Sequence, residues 1–289
     1  MKSLLKKLYS WTGVLFQTIV SLLSVLIFSK ALASRQMAKQ SRTRRKSDVV
    51  ILGNGPSLKP ILTEKLDDLL KIDADFVAVN FFCSSPLFTK IRPSLYVIAD
   101  TAYFRPSGEE WIEKQKEKTI ENLFQVNWKL QLYIPASAIG SPLVEKLKKN
   151  SCLEICYFNL VPVSAFKRIE RLIFKMNLGM PRPENVLNAS IYLLVNLHYK
   201  NIYLLGADHS WLREVNVSEK NEVVMGYEHF YGDTNVVKLD STLSEWLLTQ
   251  YYCFKAHDRL RNYADYMKVN IFNATRGSFV DAYERKYII

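Results

Sequence analysis

Between residues 48 and 272 one pattern repeats: a short apolar run, then a longer stretch with helical spacing. The runs lie at 48–52, 76–79, 95–99, 130–134, 153–158, 202–205 and 269–272, and the helical stretches at about 61–71, 109–126, 142–149, 164–176, 185–199 and 239–267. Successive β-rich apolar residues without alternation suit strands buried on both faces. Strands that alternate with helices predict an α/β domain on a mostly parallel sheet, with helices covering both faces. Ligands of such folds sit beyond the carboxyl ends of the strands. The polar residues at those ends are therefore the candidates: Gly53, Asn54 and Gly55 after the first run, Asn80 after the second, Asp100 after the third, Asp208 and His209 after the sixth, and Asn273 to Ser278 after the last.

The net charge of +11 lies elsewhere. Ten of the 39 lysines and arginines, and no acidic residue, fall in residues 1–46, so the remaining 29 face 28 carboxylates over 47–289. A nucleic-acid binder carries its charge on the fold, and this near-neutral body excludes that class as a leading reading. Residues 8–28 form an uncharged apolar run of 21 residues, which as a helix reaches about 30 Å, the hydrocarbon thickness of a bilayer. Tyr9 and Trp11 suit the interface at one end. Ala31-Leu32-Ala33 resembles a cleavage site, but the run exceeds a usual signal-peptide core and basic residues follow it. The expectation is one N-terminal transmembrane helix, with 1–33 as anchor, 34–46 as basic linker and 47–289 as the catalytic domain. Three basic residues before the run and seven after it predict a cytoplasmic domain held single-pass in the membrane. Basic flanks on both sides also suit a helix lying in the membrane plane. Cys83, Cys152, Cys156 and Cys253 lack paired metal spacing and read as reduced and structural; no metal site is expected.

Several motifs could carry chemistry. Gly53-Asn-Gly-Pro-Ser57 lies between a strand and a helix; its glycines permit close backbone approach, and Pro56 and Ser57 suit a first helical turn. The amides of such a helix start can receive a phosphate, although neither the Walker ending nor the third glycine of a dinucleotide fingerprint is present. A tight strand–helix turn is the plainer reading. Asp100 and Asp208 end strands and suit ribose, a sugar hydroxyl or a metal, or else cap the following segment. Asp73-Ala-Asp75 has the D-x-D form but precedes a strand, at the wrong edge, and reads as a turn. Tyr227-Glu-His229-Phe-Tyr231-Gly-Asp233 is loop-like; a histidine there can act as base near neutral pH, and phenols can hydrogen-bond an anionic leaving group. His198 and His257 fall on helical stretches and read as surface or packing residues, while His209 stays open.

These residues resemble a known family. Val49 to Leu58, with its Gly-Asn-Gly-Pro-Ser, is similar to the opening of bacterial lipooligosaccharide sialyltransferases, glycosyltransferase family 42. Asn80 matches that family's second-strand asparagine, 198–208 resembles its Gly-Tyr-Lys-Glu-Ile-Tyr-Leu-Ser-Gly-Ile-Asp segment, and His229-Phe-Tyr-Gly-Asp233 resembles its His-Tyr-Ile-Gly-His. The frame is also similar to the MptE-like domain of a pterin diphosphokinase and flagellin glycosyltransferases, most closely at 92–100 and 273–283. The resemblance implies a Rossmann-like fold and a CMP-activated, sialic-acid-like sugar donor with no strict metal requirement, Mg²⁺ being optional. It further implies nucleotide and phosphate contacts from Asn54, Gly55 and Asn80, and cytidine contacts near Arg182 and Asn185. The family's base is its second histidine, a position held here by Asp233, so either Asp233 or His229 would take the proton. The family's phosphate-binding tyrosine has no counterpart beside Asp208, where His209 and Ser210 stand; Tyr227 or Tyr231 would compensate.

The reading that joins these points is a membrane-anchored glycosyltransferase of bacterial surface-polysaccharide or lipopolysaccharide assembly. It would sit at the inner membrane and move a sugar from a nucleotide donor to a glycan or lipid-linked acceptor. His229, Asp233 and Tyr231 are the expected catalytic residues; Gly53, Asn54, Gly55, Ser57, Asn80, Asp100, Asn185 and Asp208 are the expected donor-binding residues. Two rivals stand beside it: an MptE-like diphosphokinase that holds Mg²⁺–ATP with Asp100 and Asp208, and a non-catalytic nucleotide- or glycan-binding scaffold.

Overall fold

A computed structural model describes residues 2–43, 45–104, 110–228 and 234–289. Two helices come first, α1 (Lys2–Phe28) and α2 (Ala31–Gln40). The sheet then begins with β1 (Asp48–Leu52), followed by α3 (Leu58–Glu64), α4 (Leu66–Leu70), β2 (Asp75–Val79), α5 (Phe88–Ile91), β3 (Leu95–Val97) and α6 (Glu110–Phe124). Next come β4 (Leu130–Pro135), α7 (Pro142–Leu147), β5 (Leu153–Phe158), α8 (Lys167–Lys175), α9 (Val186–Asn196) and β6 (Asn201–Leu205). A small hairpin region holds β7 (Val215–Val217), β8 (Val223–Glu228) and β9 (Thr234–Lys238), before α10 (Leu243–Met267), β10 (Asn270–Asn273) and β11 (Glu284–Arg285).

The main sheet has eight strands in the order β11-β10-β6-β1-β2-β3-β4-β5, with every pairing parallel. Both faces are covered, as the unbroken apolar runs require. Val49, Ile51, Val77, Val97 and Leu204 pack on one side against α9 and α10, through residues such as Leu193, Leu260 and Tyr263. Val50, Leu52, Ala78, Tyr96 and Leu205 pack on the other against Leu58, Leu62, Phe88, Ile120 and Leu147 of α3, α5, α6 and α7. The expected α/β fold with helices on both faces is present. Helix α9 is buried over nearly its whole circumference, which explains why its sequence is apolar all round.

The stretch 34–46 does not run free as a linker. Its first residues belong to α2, whose Ala33, Met37 and Gln40 are buried. Asn159, just after β5, ties this helix down: its side-chain amide donates to the Lys30 carbonyl (3.1 Å), the Ser34 hydroxyl (3.1 Å) and the Asn177 carbonyl (2.9 Å). Residues 215–217, 223–228 and 234–238, in a region loop-like by sequence, form a three-stranded antiparallel sheet, β7-β8-β9.

Candidate functional site

Chain order along the sheet runs outward from β1 through β2, β3, β4 and β5, then returns to the other side of β1 with β6. The carboxyl ends of β1 and β6 thus border the switch point where open α/β sheets leave a crevice. A cavity of about 480 Å³ lies there. Its wall comprises Asn54 and Gly55 after β1, Asn80 after β2, Asp100 and Thr101 after β3, and Glu184 and Asn185 at the start of α9. Asp208, His209, Ser210 and Trp211 after β6 complete it, with Glu214 and Gly226 from the hairpin region.

The Gly53–Ser57 turn is closed by the protein itself. The Gly53 amide donates to the Leu205 carbonyl (2.7 Å) and the Gly55 amide to the Gly206 carbonyl (3.0 Å). The Ser57 amide and hydroxyl both donate to the Asp208 carboxylate, at 3.2 and 2.7 Å. The phosphate cradle anticipated from these amides is therefore not what the turn provides: β1 and β6 converge too tightly, and a carboxylate already stands at the helix start. The glycines are needed for that approach. A Cβ on Gly53 would lie 2.4 Å from the Gly206 oxygen, and one on Gly55 would lie 1.9 Å from an Asp208 oxygen.

Two buried acceptors belong to residues of this wall. The Asn54 Oδ1 and Asn80 Oδ1 atoms are buried and take no hydrogen bond from any described residue. The Asn54 amide nitrogen is held by the Val79 carbonyl (3.4 Å). The Asn80 backbone is fixed in the left-handed region, φ 47°, with the Tyr96 hydroxyl donating to its carbonyl and receiving the Cys83 amide (3.0 Å). Unsatisfied buried acceptors call for a partner, which an ordered water or a bound molecule can supply. The described lining residues include four carboxylates, Asp100, Glu184, Asp208 and Glu214, and no lysine or arginine. A hydroxyl-rich ligand suits such a wall; a bare phosphate does not.

Behind the cavity lies a chain of aromatic nitrogens that the sequence did not single out as a unit. His209, also left-handed at φ 51°, places Nε2 at 2.9 Å from the Asn185 side-chain nitrogen and 3.1 Å from His257 Nε2. His257 Nδ1 meets the Tyr283 hydroxyl at 3.0 Å. Asn185 also caps α9, its oxygen accepting from the Asn188 amide (2.9 Å), and its nitrogen donates to Cys253 Sγ (2.9 Å). Burial lowers the His209 pKa to about 3 and pushes His257 well below its usual value, with neighbouring His209 adding to the effect. Both rings are therefore neutral at physiological pH. His209, Cys253 and His257 offer ligand atoms mutually within 4.8 Å, a combination zinc accepts. The Asn185 amide nitrogen, however, fills the space between His209 and Cys253 where a cation would sit. The only sequence signal for this cluster was Cys253 and His257 four residues apart on one helix face.

Of the expected donor-binding residues, Asn54, Gly55, Asn80, Asp100, Asn185 and Asp208 share this one cavity, while Gly53 and Ser57 support its floor. Asn273, Thr275 and Ser278 do not join it: Asn273 donates to Ser278 and Val280, Thr275 to Leu204, and Ser278 to Ala207, so this segment clamps the end of β6. Asp75 begins β2 and accepts from Tyr199 (2.7 Å), at the opposite edge from the cavity. His229, Tyr231 and Asp233 lie outside the described residues.

No protein-family model matches the chain, and no curated protein matches it. Among solved structures it is similar to the MAf glycosyltransferase from Magnetospirillum magneticum AMB-1, at 12% identity and a TM-score of 0.49, over 89% of this chain and 38% of that one. The chain spans well under half the length of that protein.

Proposed function

We propose that this chain is a membrane-associated glycosyltransferase that holds a nucleotide-activated sugar in the switch-point cavity. The observation that carries the reading is convergence. Six residues selected by motif, from Asn54 to Asp208, meet in one cavity at the carboxyl edge of a parallel sheet. Its volume of about 480 Å³ is within the usual range for small-molecule sites. Asn54 and Asn80 offer acceptors to ribose, sugar or amine hydrogens. The family-42-like motifs favour a CMP-linked, sialic-acid-like donor, with Asp233 or His229 taking the acceptor proton and Tyr231 donating to the leaving phosphate. A membrane-held enzyme meets a lipid-linked acceptor at raised effective concentration.

Thermal stabilisation of the full chain against CMP, CDP, UDP, GDP and ATP, each with and without Mg²⁺, tests this. A ligand at 100 times its Kd adds about 2.7 kcal/mol. The reading requires a shift with CMP and turnover of a CMP-sugar that persists in EDTA. A second reading, pyrophosphate transfer from ATP as in the MptE-like domain, draws on the four carboxylates of the wall, which can hold a divalent cation on a triphosphate. A shift confined to Mg²⁺–ATP selects that reading. Silence across the panel counts against both nucleotide readings and favours a non-catalytic, glycan-binding scaffold.

A further inference from the structure

Helix α1 is long and apolar enough over Trp11–Phe28 to cross a membrane. Its contacts with the body are unlike those of a free span. Val14, Thr18, Ser21 and Val25, spaced four, three and four residues apart, form its buried or half-buried stripe. Ser21 Oγ donates to the Ser164 carbonyl (2.8 Å) and accepts the Ser164 amide (2.9 Å); Thr18 Oγ1 accepts the Phe166 amide (3.0 Å). Gln17 accepts from the Ser164 hydroxyl (3.0 Å), the Trp11 ring lies 5.8 Å from that of Phe166, and Ser29 donates to the Leu178 carbonyl. The helix is thus docked lengthwise. Thr18 meets the start of the 166–178 segment and Ser29 its end, so α8 runs beside α1 in the same direction.

The outer faces of this pair are of two kinds. On α1 the exposed apolar surface is broad, with Leu15, Ile19 and Leu26 on one flank and Phe16, Val20 and Ile27 on the next. On α8, Arg168, Leu172, Lys175 and Met176 are exposed at helical spacing, and Lys167 is exposed beside them; its one acid, Glu170, is taken by Arg259. Beyond α1, Lys30, Arg35 and Lys39 are exposed as well. An apolar ridge flanked by cations matches a layer of acyl chains beneath anionic headgroups. A perpendicular α1 would instead carry Ser164, Phe166 and the charges of α8 to hydrocarbon depth, where each charge costs several kcal/mol.

We infer that α1 lies in the plane of an anionic membrane surface, docked on the body by its Thr18–Ser21 stripe, with Lys167, Arg168 and Lys175 of α8 seated on the headgroups. The inference is independent of the reaction in the cavity.

The test uses the full chain with phosphatidylcholine vesicles, with and without phosphatidylserine. Spin labels on cysteines replacing Phe16, Val20, Leu23 and Ile27, in a Cys152→Ser background, report depth from their relative accessibility to oxygen and to a nickel complex. The in-plane arrangement gives one shallow depth at all four positions. A depth that peaks at Val20 and Leu23 and falls towards Phe16 and Ile27 identifies a span and overturns it, as does failure to bind vesicles. Replacing Lys167, Arg168 and Lys175 together by Gln lowers partition onto the anionic vesicles by about 100-fold, at about 1 kcal/mol per charge. The same variant leaves partition onto neutral vesicles and far-ultraviolet circular dichroism unchanged. Equal loss on both vesicle types, or none on either, overturns the role of α8.

Discussion

Asn54 and Asn80 each keep a buried acceptor without a donor among the described residues, which costs about 1–3 kcal/mol until a ligand or water supplies one. Substituting them should therefore weaken ligand binding more than folding. Asn54→Ala and Asn80→Gly, the latter suited to φ 47°, are expected to reduce affinity for the stabilising nucleotide by about 10- to 100-fold, one to two factors of 1.4 kcal/mol. Isothermal titration checks the affinity and urea unfolding the stability. The glycines behave oppositely. Gly53→Ala meets backbone atoms of Gly206 that cannot step aside, and a loss of about 1–3 kcal/mol or more in urea unfolding is expected. The buried histidines add a pH signature. His209 is neutral down to about pH 3 in the folded chain, whereas an unfolded histidine protonates near pH 6.5. Above that value neither state takes the proton. Below it the unfolded state binds more protons, so stability falls with pH through the window from 6.5 to 3, by about 1.4 kcal/mol per unit for such a group. His257, also pushed down by burial, steepens the same fall. Urea midpoints across that window should slope down towards acid, and a flat profile would remove both histidines from the core.

At the scale of elements, the apolar runs located the strands closely because a strand buried on both faces must be apolar throughout. The predicted 153–158 coincides with β5, and 202–205 differs from β6 by one residue. Helix α2 was invisible for the converse reason. Of its buried residues Ala33, Met37 and Gln40 only the first two are apolar, amid basic and polar neighbours that read as a linker. Met37 is 1% exposed and belongs to the main core; Met37→Ala is expected to cost about 2–5 kcal/mol. A chain beginning at Ser47 also loses Lys30 and Ser34 as partners of Asn159, and the helix over β5. Differential scanning calorimetry should show it melting below the full chain, and an equal melting temperature would return residues 34–46 to the status of a linker. The hairpin sheet β7-β8-β9 escaped because its strands are short and partly charged, with Val236 exposed and Val223 and Met225 buried.

On the scale of the whole molecule, the site depends on which strands lie side by side. Asn54, Asn80, Asp100 and Asp208 were legible because a strand's end is a sequence feature, and parallel strands put all such ends on one edge. Their grouping depends on β6 returning beside β1, which brings Asp208 onto Ser57 across 151 positions. The same return occupies the turn's amides with Leu205, Gly206 and Asp208, so an anion site that looked open along the chain is closed in space. It also brings His209 against His257, whose other ring nitrogen meets Tyr283. The nucleotide site proposed at this junction would join the ends of four strands, and hydrogen exchange in saturating ligand is expected to slow most at 53–58, 79–84 and 205–211. Protection confined to the region around Arg261 and Asp281, the second cavity near β10, would move the site elsewhere.

Residue by residue, the chain determined its own α/β alternation, its apolar leader and the polar residues that close each strand, because all three follow from short-range spacing and burial. Tertiary structure alone decided that Asp208 caps the glycine turn, that Asn54 and Asn80 are left without donors among the described residues, and that α1 lies along the body by a stripe of Thr18 and Ser21. Those outcomes depend on contacts between segments far apart in sequence, and neither spacing nor composition along one segment carries the identity of its partner in space.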